Sequence, residues 1–197
     1  MPDDPKIHNI IGIAGAARSG KDTLCRSLMR VLKNTYNLES IRTSIAGDKV
    51  KEDLKDLLEK NIQMNSFTEN NKEKELLRPL LIEYGKLMRN KTDGRYFIDS
   101  FKKIKNKINI IPDIRYVEYP KDEMYWLKNE AKGFLIFIER KNVFDANETE
   151  KINNNIIKKL ADYHLQWDNL NENLDCERKI LDFYALEILK KFFTIFQ

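Results

Sequence analysis

The stretch Gly15-Ala16-Ala17-Arg18-Ser19-Gly20-Lys21-Asp22-Thr23, GAARSGKDT, fits a phosphate-binding loop at all but one position. The pattern G-x-x-x-x-G-K-[ST] is met by Gly15, Gly20 and Lys21, with Asp22 where a hydroxyl ordinarily meets magnesium. Glycines let the backbone turn tightly and bring its N–H groups onto phosphate oxygens. A helix beginning at such a loop points its positive end at the same anion. Lys21 then supplies a mobile charge for the β- and γ-phosphates, so residues 15–23 form the expected ATP cradle. Asp22 reads in two ways: as a first-turn acid favoured by the helix dipole, or as a magnesium partner in place of the hydroxyl. The loop setting favours the second, with Thr23 offering a hydroxyl one position later.

The flanks carry the rest of the motif. Ile7–Ile13 (IHNIIGI) is a short β-branched run, the pattern of a buried strand. Leu24, Leu28, Val31 and Leu32 recur after the loop at helical spacing. Further along, strands are expected at Ser40–Ala46, Ile108–Ile111, Phe134–Ile138 and, weakly, His164–Trp167. Helices are expected over Lys49–Lys60, with Val50, Leu54, Leu57 and Leu58 inward, and near Leu76–Met88, restarting at Pro79. Others are expected at Arg95–Lys105, Asp122–Ala131, up to about Leu160, and at Cys176–Phe193 with Ile180, Phe183, Leu186, Ile188 and Leu189 inward. Apolar strands alternating with amphipathic helices predict an α/β fold, a parallel sheet covered on both faces with the loop at its carboxyl edge. The polar segment Arg140–Lys151 lacks the spacing of a packed helix and is expected to be mobile without ligand.

The 197 residues suit a single domain, and 42% hydrophobic content is enough for a sizeable core. A net charge of +4 is too balanced for a chain built to coat nucleic acid or an anionic membrane, and neither partner is expected. The opening MPDDPK (residues 1–6) reads as a flexible tail with no signal-peptide order. Cys25 and Cys176 are too few for a disulfide framework, and the cytoplasm is the expected compartment. His8 and His164 lie far apart without a nucleophile pattern, and Cys25 reads as packing. Trp126 and the Phe192–Phe193 pair fit either core or a homodimer interface, and Trp167 fits either burial or stacking on a base.

The loop with its Arg-Ser-Gly-Lys-Asp-Thr core resembles that of the deoxynucleoside monophosphate kinases of bacteriophages and related viruses, where aspartate is the usual letter. RPLLIEYGKLMR (Arg78–Arg89), IIPDIRY (Ile110–Tyr116), DANETEK (Asp145–Lys151) and ADYHLQWDN (Ala161–Asn169) resemble further segments of that family. Asn147 and Thr149 replace its usual His and Ser, and Val117-Glu118-Tyr119 replaces a common Pro-Asn-Glu. The resemblance implies a three-layer P-loop kinase fold with five parallel strands, an acceptor-binding helical region near residues 47–107 and a lid near 140–160. It implies ATP as donor, Mg2+ as cofactor and a nucleoside monophosphate as acceptor. Lys21, Arg18, Arg115 and Arg140 would act on the transferring group, with Arg78, Arg89, Glu118 and either Lys49 or Lys51 around the acceptor.

Such chemistry suits these residues. A monophosphate is mostly a dianion near neutral pH, its second pKa being about 6, and needs no general base. The task is to hold two anions in line, which takes cations and a metal. Asp113, ending an apolar run, reads as the acid for that metal or as a turn residue. Arg89 reads equally as a helix-end cation, Arg78 as a partner of Glu73 or Glu75, and Arg140 as an exposed strand end. Kinases of other phosphorylated metabolites such as phosphomevalonate share a Gly-Lys-Asp loop, and a nucleotide-binding switch without an acceptor is the remaining alternative.

Overall fold

The computed structural model describes residues 9–168 and 170–195. The expected tail, with Ile7 and His8 of the expected first strand, lies outside them. At the centre is β1 (Ile10–Ala14), buried along its whole length. It pairs in parallel with β3 (Ile108–Ile111) on one side and β4 (Phe134–Arg140) on the other. With β2 (Ser40–Arg42) beyond β3 and β5 (Tyr163–Trp167) beyond β4, five parallel strands run in the order β2-β3-β1-β4-β5. From β1 the chain passes through α1 (Lys21–Tyr36) towards the β2 edge, whereas from β4 it passes through α6 (Glu148–Leu160) towards β5. The crevice between the carboxyl ends of β1 and β4 is therefore a topological switch point, where open α/β sheets take their ligands.

Side chains alternate across the sheet and fill a layer on each face. Ile11 and Ile13 pack with Leu24, Leu28 and Leu32 of α1 and with Leu181, Ile188 and Leu189 of α7 (Asp175–Ile195). Phe134 meets Phe192 of α7 edge-on, ring centres 5.6 Å apart. Ile10 and Ala14 join a second cluster with α2 (Gly47–Ile62), α3 (Asn71–Lys91), α4 (Tyr96–Ser100), α5 (Glu123–Tyr125) and α6. Cys25 is packing, as expected. Trp126 packs edge-on against Phe101, so it and Phe192 are satisfied within the chain.

Several boundaries differ from the sequence expectation, each for a local reason. The strand expected over Ser40–Ala46 ends at Arg42, because Ser44 accepts the Gly47 N–H at 3.0 Å and turns the chain into α2. That helix buries Val50, Leu54 and Leu58 but leaves Leu57 exposed. No new helix starts at Pro79: α3 runs through it, capped by the Asn70 side chain on the Lys72 and Glu73 N–H groups. Pro79 and Glu75 are both exposed, so the Glu75 carbonyl that loses its donor faces solvent. The helix expected over Arg95–Lys105 stops at Ser100, since the buried Asn109 amide holds both the N–H and the C=O of Ile104 at 2.9 Å. The one expected at Asp122–Ala131 widens after α5 into a π-helical turn, Trp126–Glu130.

Residues 140–160 take three forms, a strand end, a loop and a helix. Arg140 belongs to β4, and Asn147 caps α6 by accepting the Glu150 N–H at 2.9 Å. Ile157, fully buried, seats α6 in the core, so only residues 141–147 are loop. The helix expected to end near Leu160 is α6, and one anchor and one cap place its start at Glu148. In α7 the buried face is Leu181, Ala185, Ile188, Leu189 and Phe192, and the expected Ile180 and Phe183 point outward. That helix is apolar on two sides, which left periodicity without a unique answer.

Pro79→Ala restores a backbone hydrogen bond on an exposed helix face and is expected to stabilise the fold by about 1–3 kcal/mol. A urea midpoint that stays level or falls would show that the proline serves the packing of α3 instead.

Candidate functional site

The loop between β1 and α1 is shaped by what its glycines lack. Gly15 has φ 141°, and a Cβ there would stand 2.3 Å from the Ile138 carbonyl oxygen of β4. Gly20 has φ 95°, and a Cβ there would lie 2.6 Å from the Trp167 ring. Arg18 takes the left-handed conformation (φ 64°) without being glycine, which marks a strained turn. Trp167 is buried, and its indole N–H donates to the Ser19 carbonyl at 2.9 Å, so burial rather than base stacking is its state. Gly20 caps α1 without any side-chain hydrogen bond, which leaves the first-turn amides at the loop mouth to an anion.

Lys21 lies almost wholly buried under this loop. Its ammonium donates to the carbonyls of Gly15 and Ala16, each at 2.7 Å. Burial, with Arg115 adding repulsion, lowers its pKa to about 8; Glu150, Asp113 and Asp22 oppose the shift. Glu150 reaches over from α6 and accepts the Ala17 N–H at 3.0 Å. Arg140, from the end of β4, donates to the Arg18 carbonyl at 3.2 Å. Ser19 keeps its hydroxyl buried with no partner among the described residues.

The expected metal side of the loop is partly engaged. Asp22 is exposed and accepts from Arg42 at 3.1 and 3.2 Å, an arginine at the end of β2 that sequence reasoning missed. The Thr23 hydroxyl accepts from Arg26 at 3.4 Å. Asp113, just past β3, has one carboxylate oxygen 3.5 Å from the Ser44 hydroxyl and the other buried and unpartnered. Burial raises its pKa, against the pull of Arg115 and Arg42. The described residues contain no cluster of three or more His, Cys, Asp or Glu able to cage a metal. Mg2+ ordinarily needs only one or two carboxylates beside substrate phosphates and water. The orphaned Asp113 oxygen fits that role.

Two cavities open near these residues, one of them lined in part by the loop. One, of about 860 Å³, lies over the β1–β4 crevice, bounded by Ala16, Ser19, Arg140, Phe144, Asn154 and Lys158. The other, of about 370 Å³, lies under α2 and α3, with Lys51, Arg78, Arg89, Asp113 and Arg115 on its walls and Val50, Leu77 and Phe97 among its apolar lining. Of the two candidate lysines, Lys51 faces this second cavity. Lys49 instead pairs with Asp53 at 2.5 Å, in a network with Tyr84 and Tyr96 that ties α2 to α3 and α4. Glu118 does not line the second cavity and accepts from Asn153 of α6 at 3.2 Å.

The arginines differ in how far their charge is committed. Arg89 is buried, pairs with Asp122 at 2.5 Å and stacks 3.5 Å above the Tyr116 ring. Arg78 makes an exposed pair with Glu75 at 2.8 Å, worth little and easily exchanged. Arg115 is exposed, and its backbone is anchored by the buried Glu123, which accepts the N–H groups of Arg115 and Tyr116 at 2.9 and 3.3 Å. Burial pushes the Glu123 carboxyl up to about 8, and Arg89 and that backbone hydrogen bond restrain it. Glu123 and Glu150 hold the site without having been expected; DANETEK was the signal for Glu150, and nothing in the sequence marked Glu123.

Protein-family models and curated proteins yield no match to the chain. No described helix is long and apolar enough to cross a membrane.

The Lys21 ammonium is expected to lose its proton near pH 8, observable in an NMR titration of the lysine side-chain signals assigned with Lys21→Ala. Between about pH 8 and 10.5 the unfolded chain then binds the extra proton, so this group's contribution to stability rises with pH across that window. A Lys21 signal titrating above pH 10 would overturn the burial account.

Proposed function

We propose that the protein is a phosphotransferase that moves the γ-phosphate of ATP to a deoxynucleoside or nucleoside 5′-monophosphate, giving ADP and the diphosphate. The observation that carries this reading is a phosphate-type loop with a buried lysine together with two cavities, one lined by Ala16 and Ser19 of the loop and a smaller one walled by Lys51, Arg78 and Arg115. A nucleotide switch needs one such cavity and no second set of phosphate-binding cations.

In this reading the larger cavity takes ATP, its phosphates on the loop amides and Lys21. The smaller takes the monophosphate, with the phosphate towards Arg78 and Arg115 and the base among Val50, Leu77 and Phe97. Arg115 and Arg140 approach the loop from β3 and β4 and would neutralise charge on the group in transit. Mg2+ would be held by Asp113, with Asp22 and Thr23 close by, and would screen the donor phosphates. No general base is required of the chain, because the acceptor oxygen is already anionic.

A panel of deoxynucleoside and nucleoside monophosphates, with phosphomevalonate beside them and ADP release as readout, tests the reading. Turnover of at least one nucleotide, lost in a folded Lys21→Ala protein, supports it. Turnover of phosphomevalonate alone would favour the metabolite-kinase alternative, and ATP binding without any acceptor-dependent turnover the switch.

Arg140→Ala is expected to lower kcat about tenfold or more while raising the KM for the monophosphate much less, since its contact matters most as charge develops. Its unfolding midpoint should move by less than about 0.5 kcal/mol. Loss of monophosphate affinity at constant kcat would make Arg140 a uniform binding residue.

Asp113→Asn is expected to raise the magnesium concentration needed for half-maximal rate, because a neutral amide is a poorer partner for a hydrated cation. An unchanged magnesium titration would return Asp113 to a turn residue.

A further inference from the structure

The loop that is shaped for an anion is already in contact with one, supplied by the chain itself. Glu150 sits in the first turn of α6, and its two carboxylate oxygens go to different places. One accepts the Ala17 N–H of the phosphate loop at 3.0 Å; the other accepts the Ala146 N–H at 2.5 Å. The carboxylate thus bridges the phosphate loop and the end of the 141–147 loop. Its own backbone N–H is held by the Asn147 cap, which fixes where the side chain starts. Lys21 is meanwhile turned onto the carbonyls of Gly15 and Ala16. One loop donor, the Ala17 N–H, is thus satisfied by Glu150, and the lysine by the loop's own backbone.

We infer that Glu150 is an internal phosphate surrogate: it occupies an anion-binding amide of the loop in the empty protein and is displaced when a nucleotide's terminal phosphate arrives. The inference rests on the loop being a phosphate site, as proposed above, but not on phosphotransfer. A triphosphate and a carboxylate cannot share the Ala17 N–H without like charges meeting at hydrogen-bond range, where the interior screens them poorly. Displacement also frees the Ala146 N–H, so filling the loop releases its neighbour at residues 141–147. These residues line the larger cavity from the far side, Phe144 among them and 83% exposed. Phosphate binding and the freedom of that wall are then two readings of one exchange.

The arrangement carries a cost in affinity. A ligand that must first displace a partner binds more weakly by the fraction of molecules in which the site is open. A hydrogen bond to a charged group is worth about 1.5–3 kcal/mol net, so removing the carboxylate should tighten binding by about tenfold or more. Glu150→Gln removes the charge with little change of shape, and Glu150→Ala removes the group.

The test is calorimetric titration of the full chain and both variants with Mg2+-free ATP and with inorganic pyrophosphate. About tenfold tighter binding of both probes by both variants is the expected result. Equal or weaker binding would overturn the inference and make Glu150 a support of the bound loop, and so would failure of every form to bind either probe. A second measurement uses the unaltered protein: amide exchange at Ala146 should speed up when ATP is added, and unchanged or slower exchange would also overturn it. The acceptor panel separates the two claims. Tighter pyrophosphate binding without turnover of any monophosphate keeps the surrogate and removes the kinase; turnover with unchanged affinities does the reverse.

Discussion

The space that Gly15 does not fill governs the rest. β1 and β4 are neighbours in the sheet, and the loop leaving β1 must cross the Ile138 carbonyl at a distance no side chain allows. Because it crosses there, α1 starts at Lys21 with its first-turn amides turned to the crevice, and the Lys21 stem runs beneath the loop rather than into water. Trp167 closes the other end by covering Gly20 and holding the Ser19 carbonyl. Two absent side chains and one large ring from β5 thus shape the backbone of the loop.

Around the site the charges fall into two kinds. Arg89, Asp122 and Glu123 are buried, mutually paired and spent on holding the floor of the smaller cavity. Removing one partner of such a cluster would leave an uncompensated charge inside, which is expensive. Arg115 and Arg78 are exposed, and Lys51 is half-buried with its ammonium 5.4 Å from the centre of the Phe67 ring. This division explains why Arg89 and Arg78, at the two ends of one sequence motif, do different things. Arg89 is committed to the architecture, whereas Arg78 holds only an exposed pair with Glu75.

The sheet and the glycine turn between β1 and α1 were legible in the sequence because each leaves a local signature: apolar runs for strands buried on both faces, and glycines where positive φ is forced. Helix ends were less legible. Asn109 stops α4 from nine residues downstream, and Ser44 starts α2 by bonding Gly47, neither of which a hydrophobic period records. The site divided in the same way. Lys21 was singled out by the glycine pattern, and Arg140 and Asp113 by their places at strand ends. Arg42, Glu123 and Glu150 were not: Arg42 and Glu150 reach the loop from other elements, and Glu123 bonds backbone N–H groups seven and eight residues before it, which no motif records. Lys49 and Lys51 could be told apart only once α2 had a face, and that face is set by Asp53 and two tyrosines from other helices.

Trp167 has one more consequence. The chain has two tryptophans, and Trp126 lies in the other layer of the molecule, packed on Phe101. The Trp167 indole is buried, hydrogen-bonded through its nitrogen to the loop backbone and pressed against Gly20. Ring emission depends on local polarity and on that hydrogen bond, so the protein carries its own fluorophore against the loop. In a Trp126→Phe background, ultraviolet-excited emission would report the state of the loop alone, in real time and without any attached dye.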